Sequence, residues 1–153
     1  MWNEINNQED VDYFMEQLRG FHDSCLKEMR YISGAYVRED LGMLPINDKR
    51  ILRVIIQRQF EDPCAVELEF QGLKRLEMIP DDEKYDCIIF DAAVILKDDC
   101  IIWCDDGNLT EDDLDSNKGV VIIASKLRWR PVNEFIGNEE VYIERGTDRQ
   151  AGS

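Results

Sequence analysis

Apolar and polar residues alternate through most of this chain with a period of two, and with a helical period only near the N-terminus. Val11, Phe14, Met15 and Leu18 follow the i, i+3, i+4, i+7 spacing of a single helical stripe. Asn6 or Asn7 is placed to cap that helix, Glu9 and Asp10 put negative charge in its first turn, and Gly20 stops it. A helix this short is expected to lie against a sheet rather than stand free.

Beyond Gly20 the period changes. Cys25 to Val37 reads as a strand, with a short helix as the competing reading because Leu26, Met29 and Ile32 are three apart. Residues 38–49, with Gly42 and Pro45, form a loop to a second strand, Arg50 to Phe60. There Leu52, Val54 and Ile56 face one way and Arg53, Gln57 and Gln59 the other, with Ile55 the exception. After Pro63, Val66, Leu68 and Phe70 alternate with Glu67, Glu69 and Gln71; the pattern stumbles at Gly72-Leu73, where a bulge or bend is expected, and resumes at Leu76 and Met78.

Past a turn at Pro80 to Glu83, the stretch Cys87 to Cys104 is apolar on both sides of the alternation, which predicts a central β-hairpin covered on both faces. A long acidic loop, 105–119, follows. Along Val120 to Arg130, Lys126, Arg128 and Arg130 share one face and Leu127 and Trp129 the other, and Pro131 ends the strand. A short helix or turn is expected at Val132 to Ile136, an edge strand at Val141 to Ile143, and a disordered tail from Glu144. One helix among so many strands reads as α+β: an N-terminal helix packed on a mainly antiparallel, curled or sandwiched sheet of six to eight strands. Residues 1–137 are expected to form a single domain, with 138–153 an edge segment and tail.

Charge narrows the partners. With 33 acidic against 18 basic residues, the net charge of −15 repels nucleic-acid backbones and anionic membranes; simple solubility is its plainer meaning, and a basic protein partner the other. No apolar run approaches the roughly 18 residues that span a bilayer, and the acidic N-terminus predicts no signal peptide. Five cysteines, an odd number, then point to free thiols in a reducing cytoplasm.

Candidate chemistry is sparse. His22 is the only histidine, beside Asp23 and Ser24; adjacent residues on an extended chain point to opposite sides, so these three do not make a triad. His22 and Asp23 are therefore the only catalytic candidates, with a cysteine brought near by folding as nucleophile; the plainer role is a histidine fixed at a helix-to-strand corner. His22, Cys25, Cys100 and Cys104 do not read as a zinc site, because Cys100 and Cys104 lie about 13 Å apart on an extended strand. The loop acids Asp105, Asp106, Glu111, Asp112, Asp113 and Asp115 lack the glycine and glutamate positions of an EF-hand. No metal and no cofactor is assigned. Arg128, Trp129 and Arg130 are the candidate binding residues, for an anion or small ligand, with cross-strand pairing to Glu67 and Glu69 as the alternative.

Phe21-His22-Asp23-Ser24, Gln57-Arg58-Gln59 and Leu127-Arg128-Trp129-Arg130-Pro131 together resemble an uncharacterised family of small cytosolic bacterial proteins, over a span from the N-terminal helix to about Ile136. More remotely, the Phe21-His22-Asp23 opening resembles immunity proteins that neutralise secreted polymorphic toxins. The resemblance implies a compact, non-catalytic binding protein, and it assigns no residue roles. Three functions follow as expectations: a cytoplasmic protein-binding module, such as a toxin-immunity factor; a small enzyme using His22 with Asp23 or a cysteine; and an anion-binding or small-ligand module.

Overall fold

A computed structural model of the chain describes residues 1–116 and 118–142. The elements run β1 (Asn3–Ile5), α1 (Gln8–Gln17), β2 (Ser24–Ile32), β3 (Tyr36–Val37), β4 (Met43–Leu44), β5 (Ile51–Arg58), β6 (Ala65–Met78), β7 (Ala93–Leu96), β8 (Ile101–Cys104) and β9 (Val120–Pro131). Single 3₁₀ turns sit at Arg19–Phe21 and Glu111–Ser116. Seven strands form one antiparallel sheet, ordered β2-β5-β6-β9-β8-β7, with β1 alongside the second half of β9. The expected α+β architecture is the one adopted.

Alternation builds the inner face. Val54, Ile56, Val66, Leu68, Phe70, Trp103, Ile122 and Leu127 point into one core and are fully or almost fully buried. Asn7 caps α1 by accepting the Asp10 N–H at 2.9 Å, which turns Val11, Phe14 and Leu18 onto that core. Phe14 packs 5.5 Å from Trp129 and 5.3 Å from Phe21. Each such side chain contributes about 1.5–3 kcal/mol by leaving water, and this burial holds a helix too short to persist alone.

The outer face is covered only locally. Ile55, the apolar exception on β5, packs with Ala65, Val132, Phe135 and Tyr142, so the segment after β9 folds back over the sheet. Gln57 fastens it by donating to the carbonyls of Phe135 and Gly137, both at 3.0 Å. Packing therefore continues past residue 137 to Tyr142. Val132 to Ile136 forms a turn rather than a helix, closed by Phe135 N–H on the Val132 carbonyl, and Val141 and Tyr142 pair in no strand. Ile143 and the tail expected beyond it lie outside the described residues.

The Cys87–Cys104 hairpin is corrected in both extent and place. Its strands are β7 and β8 alone, and they stand at one edge of the sheet, not its centre. The apolar pattern was two-sided for another reason: Trp103 and Ile101 face the core, while Ile102 and Cys104 face Leu109 and Leu114 of the acidic loop. A loop can cover a strand as well as a second layer can. Residues 87–92 cross instead toward the opposite edge, where Ile89 bridges Ser24 of β2 and Ala92 N–H donates to the Gly20 carbonyl at 2.7 Å.

Two other segments depart from expectation. The strand predicted through Val37 stops at Ile32, and residues 33–49 form a separate arm in which β3 and β4 pair only with each other. The irregularity at Gly72 is a bulge, with φ of 66° there and a register shift between Leu73 and Arg75. A side chain at Gly72 would meet Ser125 Oγ at 2.8 Å, so this close approach as well as the left-handed backbone favours glycine.

Candidate functional site

Three places carry polar chemistry: a charged row on the outer face, the corner between α1 and β2, and the acidic loop. Strand register builds the first. Arg53, Glu69, Arg128 and Glu4 are successive cross-strand neighbours on β5, β6, β9 and β1. Arg128 donates to Glu69 through Nε at 2.9 Å and lies 2.8 Å from it through Nη2, while Arg53 Nε approaches the other Glu69 oxygen at 3.3 Å. Arg130 donates to Glu67 at 3.1 Å. Trp2, just ahead of β1, lays its ring over both guanidinium groups, at 4.1 Å from Arg128 and 4.3 Å from Arg130.

Of the three candidate binding residues, Arg128 and Arg130 are thus brought together and engaged with Glu69 and Glu67. Trp129 is on the opposite side of the strand, in the core beneath α1. The aromatic that joins the arginines is Trp2.

At the corner, the backbone is wound the wrong way for L-residues. Arg19, Gly20, Phe21 and Asp23 have φ of 48°, 62°, 64° and 58°, a conformation that costs a non-glycine residue about 1–2 kcal/mol. Burial of Phe21 edge-on to Trp103, 5.6 Å away, offsets that cost. The turn throws His22 outward, with its side chain about half exposed. His22 Nδ1 lies 2.7 Å from the Phe90 carbonyl, which only accepts, so Nδ1 carries the proton. Nε2 faces Asp23 at 3.5 Å. No serine, threonine or cysteine is hydrogen-bonded to His22 among the described residues. Burial, reinforced by Cys87, pushes the Cys25 thiol up, away from the thiolate a nucleophile needs.

A groove of about 260 Å³ opens beside this corner, lined by Asp23, Ser24, Cys25, Gln57, Arg58, Gln59, Ile88 and Ile136; His22 is not part of it. Arg58 stands apart from Arg53, Arg128 and Arg130. It lies on the inward side of β5, almost fully buried, donates to the Pro63 carbonyl at 2.7 Å, and burial pulls its pKa down.

The acidic loop is tied into the fold by its own charges. Lys97 pairs with Glu111, Arg75 with Asp115 at 3.2 Å, and Asp105 accepts the Val120 N–H at 3.0 Å. A wider groove of about 470 Å³ there is lined by Asp81, Asp105, Asp106 and Asp113. Among the described residues no group of three or more histidine, cysteine or acidic side chains is arranged to hold a metal, and the five cysteines are unbridged. No helix among them is long and apolar enough to cross a membrane.

Comparison with protein-family models, curated proteins and solved structures yields no match to this chain. Function therefore rests on the chain's own geometry. Reading the sequence missed Trp2, β1 and the burial of Arg58. Arg58 was within reach of the alternation, because it extends the inward row of Leu52, Val54 and Ile56.

Proposed function

We propose that this chain is a non-catalytic protein-binding module whose partner is a basic protein, in the manner of a toxin-immunity factor. The arm of residues 33–49 carries this reading. It presents Tyr36, Val37, Leu41, Met43 and Ile46 to solvent, Leu41 at 82% exposure. A cluster of large exposed apolar side chains on one projecting element is a mark of protein interaction.

The arm is also preorganised. Lys49 and Arg50 N–H both donate to the Ser33 carbonyl at its root, and at its tip Arg38 N–H donates to Gly42 and Leu41 N–H to Arg38. A formed arm loses less conformational freedom on binding than a disordered one. The charge of −15 adds steering toward a basic surface, with an on-rate that falls as salt rises. A cytoplasmic location belongs to the same proposal, consistent with five unbridged cysteines. In the alternative, an enzyme built on His22 and Asp23, no hydroxyl or thiol among the described residues is hydrogen-bonded to the imidazole, and burial pushes the Cys25 thiol up rather than activating it.

The test is capture from native lysate at low and high salt, with the retained protein identified, using the chain and its Leu41→Asp and Met43→Asp variants. The expected result is a basic protein held at low salt, weakened by salt, and lost with both variants while their melting temperatures stay unchanged. Retention that ignores the arm substitutions would overturn the reading, as would a partner that is acidic.

A further inference from the structure

Ser24 and Arg58 face each other across the start of β2 and the end of β5, on the inward side of the sheet. They are 2% and 4% exposed. Ser24 Oγ and Arg58 Nε are both sealed from solvent and both lack a hydrogen-bond partner. No carboxylate lies within ion-pair distance of Arg58 among the described residues; of the two whose fields reach it, Glu61 is taken by Arg19 at 3.2 Å and Asp62 accepts from Asn133 Nδ2 at 3.0 Å. The Arg58 guanidinium keeps one bond, from Nη1 to the Pro63 carbonyl, but its Nε and the Ser24 hydroxyl, left unpaired on facing residues in a protein with 33 acids, are a matched pair of donors for a carboxylate.

The adjacent groove narrows the ligand further. Its rim includes the half-exposed Asp23 carboxylate, and the chain as a whole repels free anions. A carboxylate reaching Arg58 is therefore favoured when it brings its own cation. Ile88 and Ile136, each about half exposed, give the groove apolar walls. The geometry points to a site for a small zwitterion, an α-amino acid with an apolar side chain. Its carboxylate goes to Ser24 and Arg58, its ammonium to Asp23, and its side chain lies between Ile88 and Ile136. Entry requires the segment carrying Ile88 to shift, since Ile89 covers Ser24 through Ile89 N–H to the Ser24 carbonyl at 2.8 Å and Asp23 N–H to the Ile89 carbonyl at 3.0 Å. This site is independent of the arm.

The experiment titrates the whole chain with L-leucine, acetate and isopentylamine, following the Arg58 Nε–H and the Ile88 and Ile89 amides by NMR. Leucine is expected to give saturable shifts at all three positions, with acetate and the amine each weaker by about tenfold or more, the loss of one charge-assisted contact. Ser24→Ala should weaken leucine about tenfold while leaving the melting temperature equal or raised, because it removes only an unpaired buried hydroxyl. Asp23→Asn should reduce leucine affinity and leave acetate unaffected or improved. No saturable response to leucine, equal affinity for acetate, or a lowered melting temperature for Ser24→Ala would each overturn the assignment. Arg58→Lys is expected to abolish the response; if that variant does not fold, the Ser24 and Asp23 variants decide.

Discussion

Arg53 and Arg58 lie on the same strand, yet they live in opposite surroundings. Arg53 is on the outward row, partly exposed, between two buried carboxylates with Arg128 and Arg130 beyond them. Arg58 is on the inward row, almost fully buried, with one carbonyl bond and, among the described residues, no carboxylate within ion-pair distance. The parity of a strand decides this. Outward, register lines up charges from several strands so that each guanidinium meets an acid. Inward, the cross-strand partner of Arg58 is Ser24, with Ile56 and Leu26 one step along the row, and none of them carries a charge. A buried charge that is answered is structure; one that is not is a place to look for a ligand.

The comparison breaks most visibly at Glu69. Glu69→Ala removes a 2%-exposed carboxylate from Arg128 and Arg53, and chemical denaturation should show a loss of about 1.5–3 kcal/mol, below the cost of orphaning a fully buried charge because both arginines are partly in water. A loss below about 1 kcal/mol would mean that the row behaves like exposed surface pairs. Trp2→Ala should cost about 1 kcal/mol by the same measurement, because it uncovers two stacked guanidinium groups.

Asp105 sharpens the contrast from the acid side, being answered by backbone N–H rather than by a cation. Burial raises its pKa above the ordinary 3.8. A carboxyl raised in the folded state stabilises fully below its unfolded pKa and loses that contribution as pH rises through the folded value. Asp105→Asn, which keeps an acceptor for Val120 N–H, should therefore gain stability relative to the parent as pH climbs above about 3.8. The gain should vanish below that point in paired thermal melts. The smallest effect belongs to the arm: Leu41→Asp should shift stability by no more than about 0.5 kcal/mol, as for an exposed side chain without packing.

Much of the fold was legible because one face of the sheet is apolar and the strands are long. The alternations of Val66 to Gln71 and of Lys126 to Arg130 gave both the strands and their facing, and the pairing of Arg128 and Arg130 with Glu69 and Glu67 followed. Cys87 to Cys104 misled because periodicity reports how many faces are covered, not by what. Leu109 and Leu114 supplied a cover that no local pattern announces. Residues 33–37 read as the end of the preceding strand and 38–49 as a loop, because β3 and β4 are two residues long, below what alternation can resolve. The left-handed turn at Arg19 to Phe21 had only Gly20 as a signal, since tertiary burial of Phe21 sustains the rest.

The pairing of β1 with β9 has a consequence for the order in which the molecule can be made. Asn3 and Trp129 are 126 positions apart and share a hydrogen bond. During synthesis β1 leaves the ribosome well ahead of β9 and finds no partner until β9 follows it out. Trp2 spends that interval uncovered, and the guanidinium pair it will cover does not yet exist. Contacts this distant in sequence slow folding and leave apolar surface open to misassembly. β1 is thus secured only once β9, far along the chain, is in place.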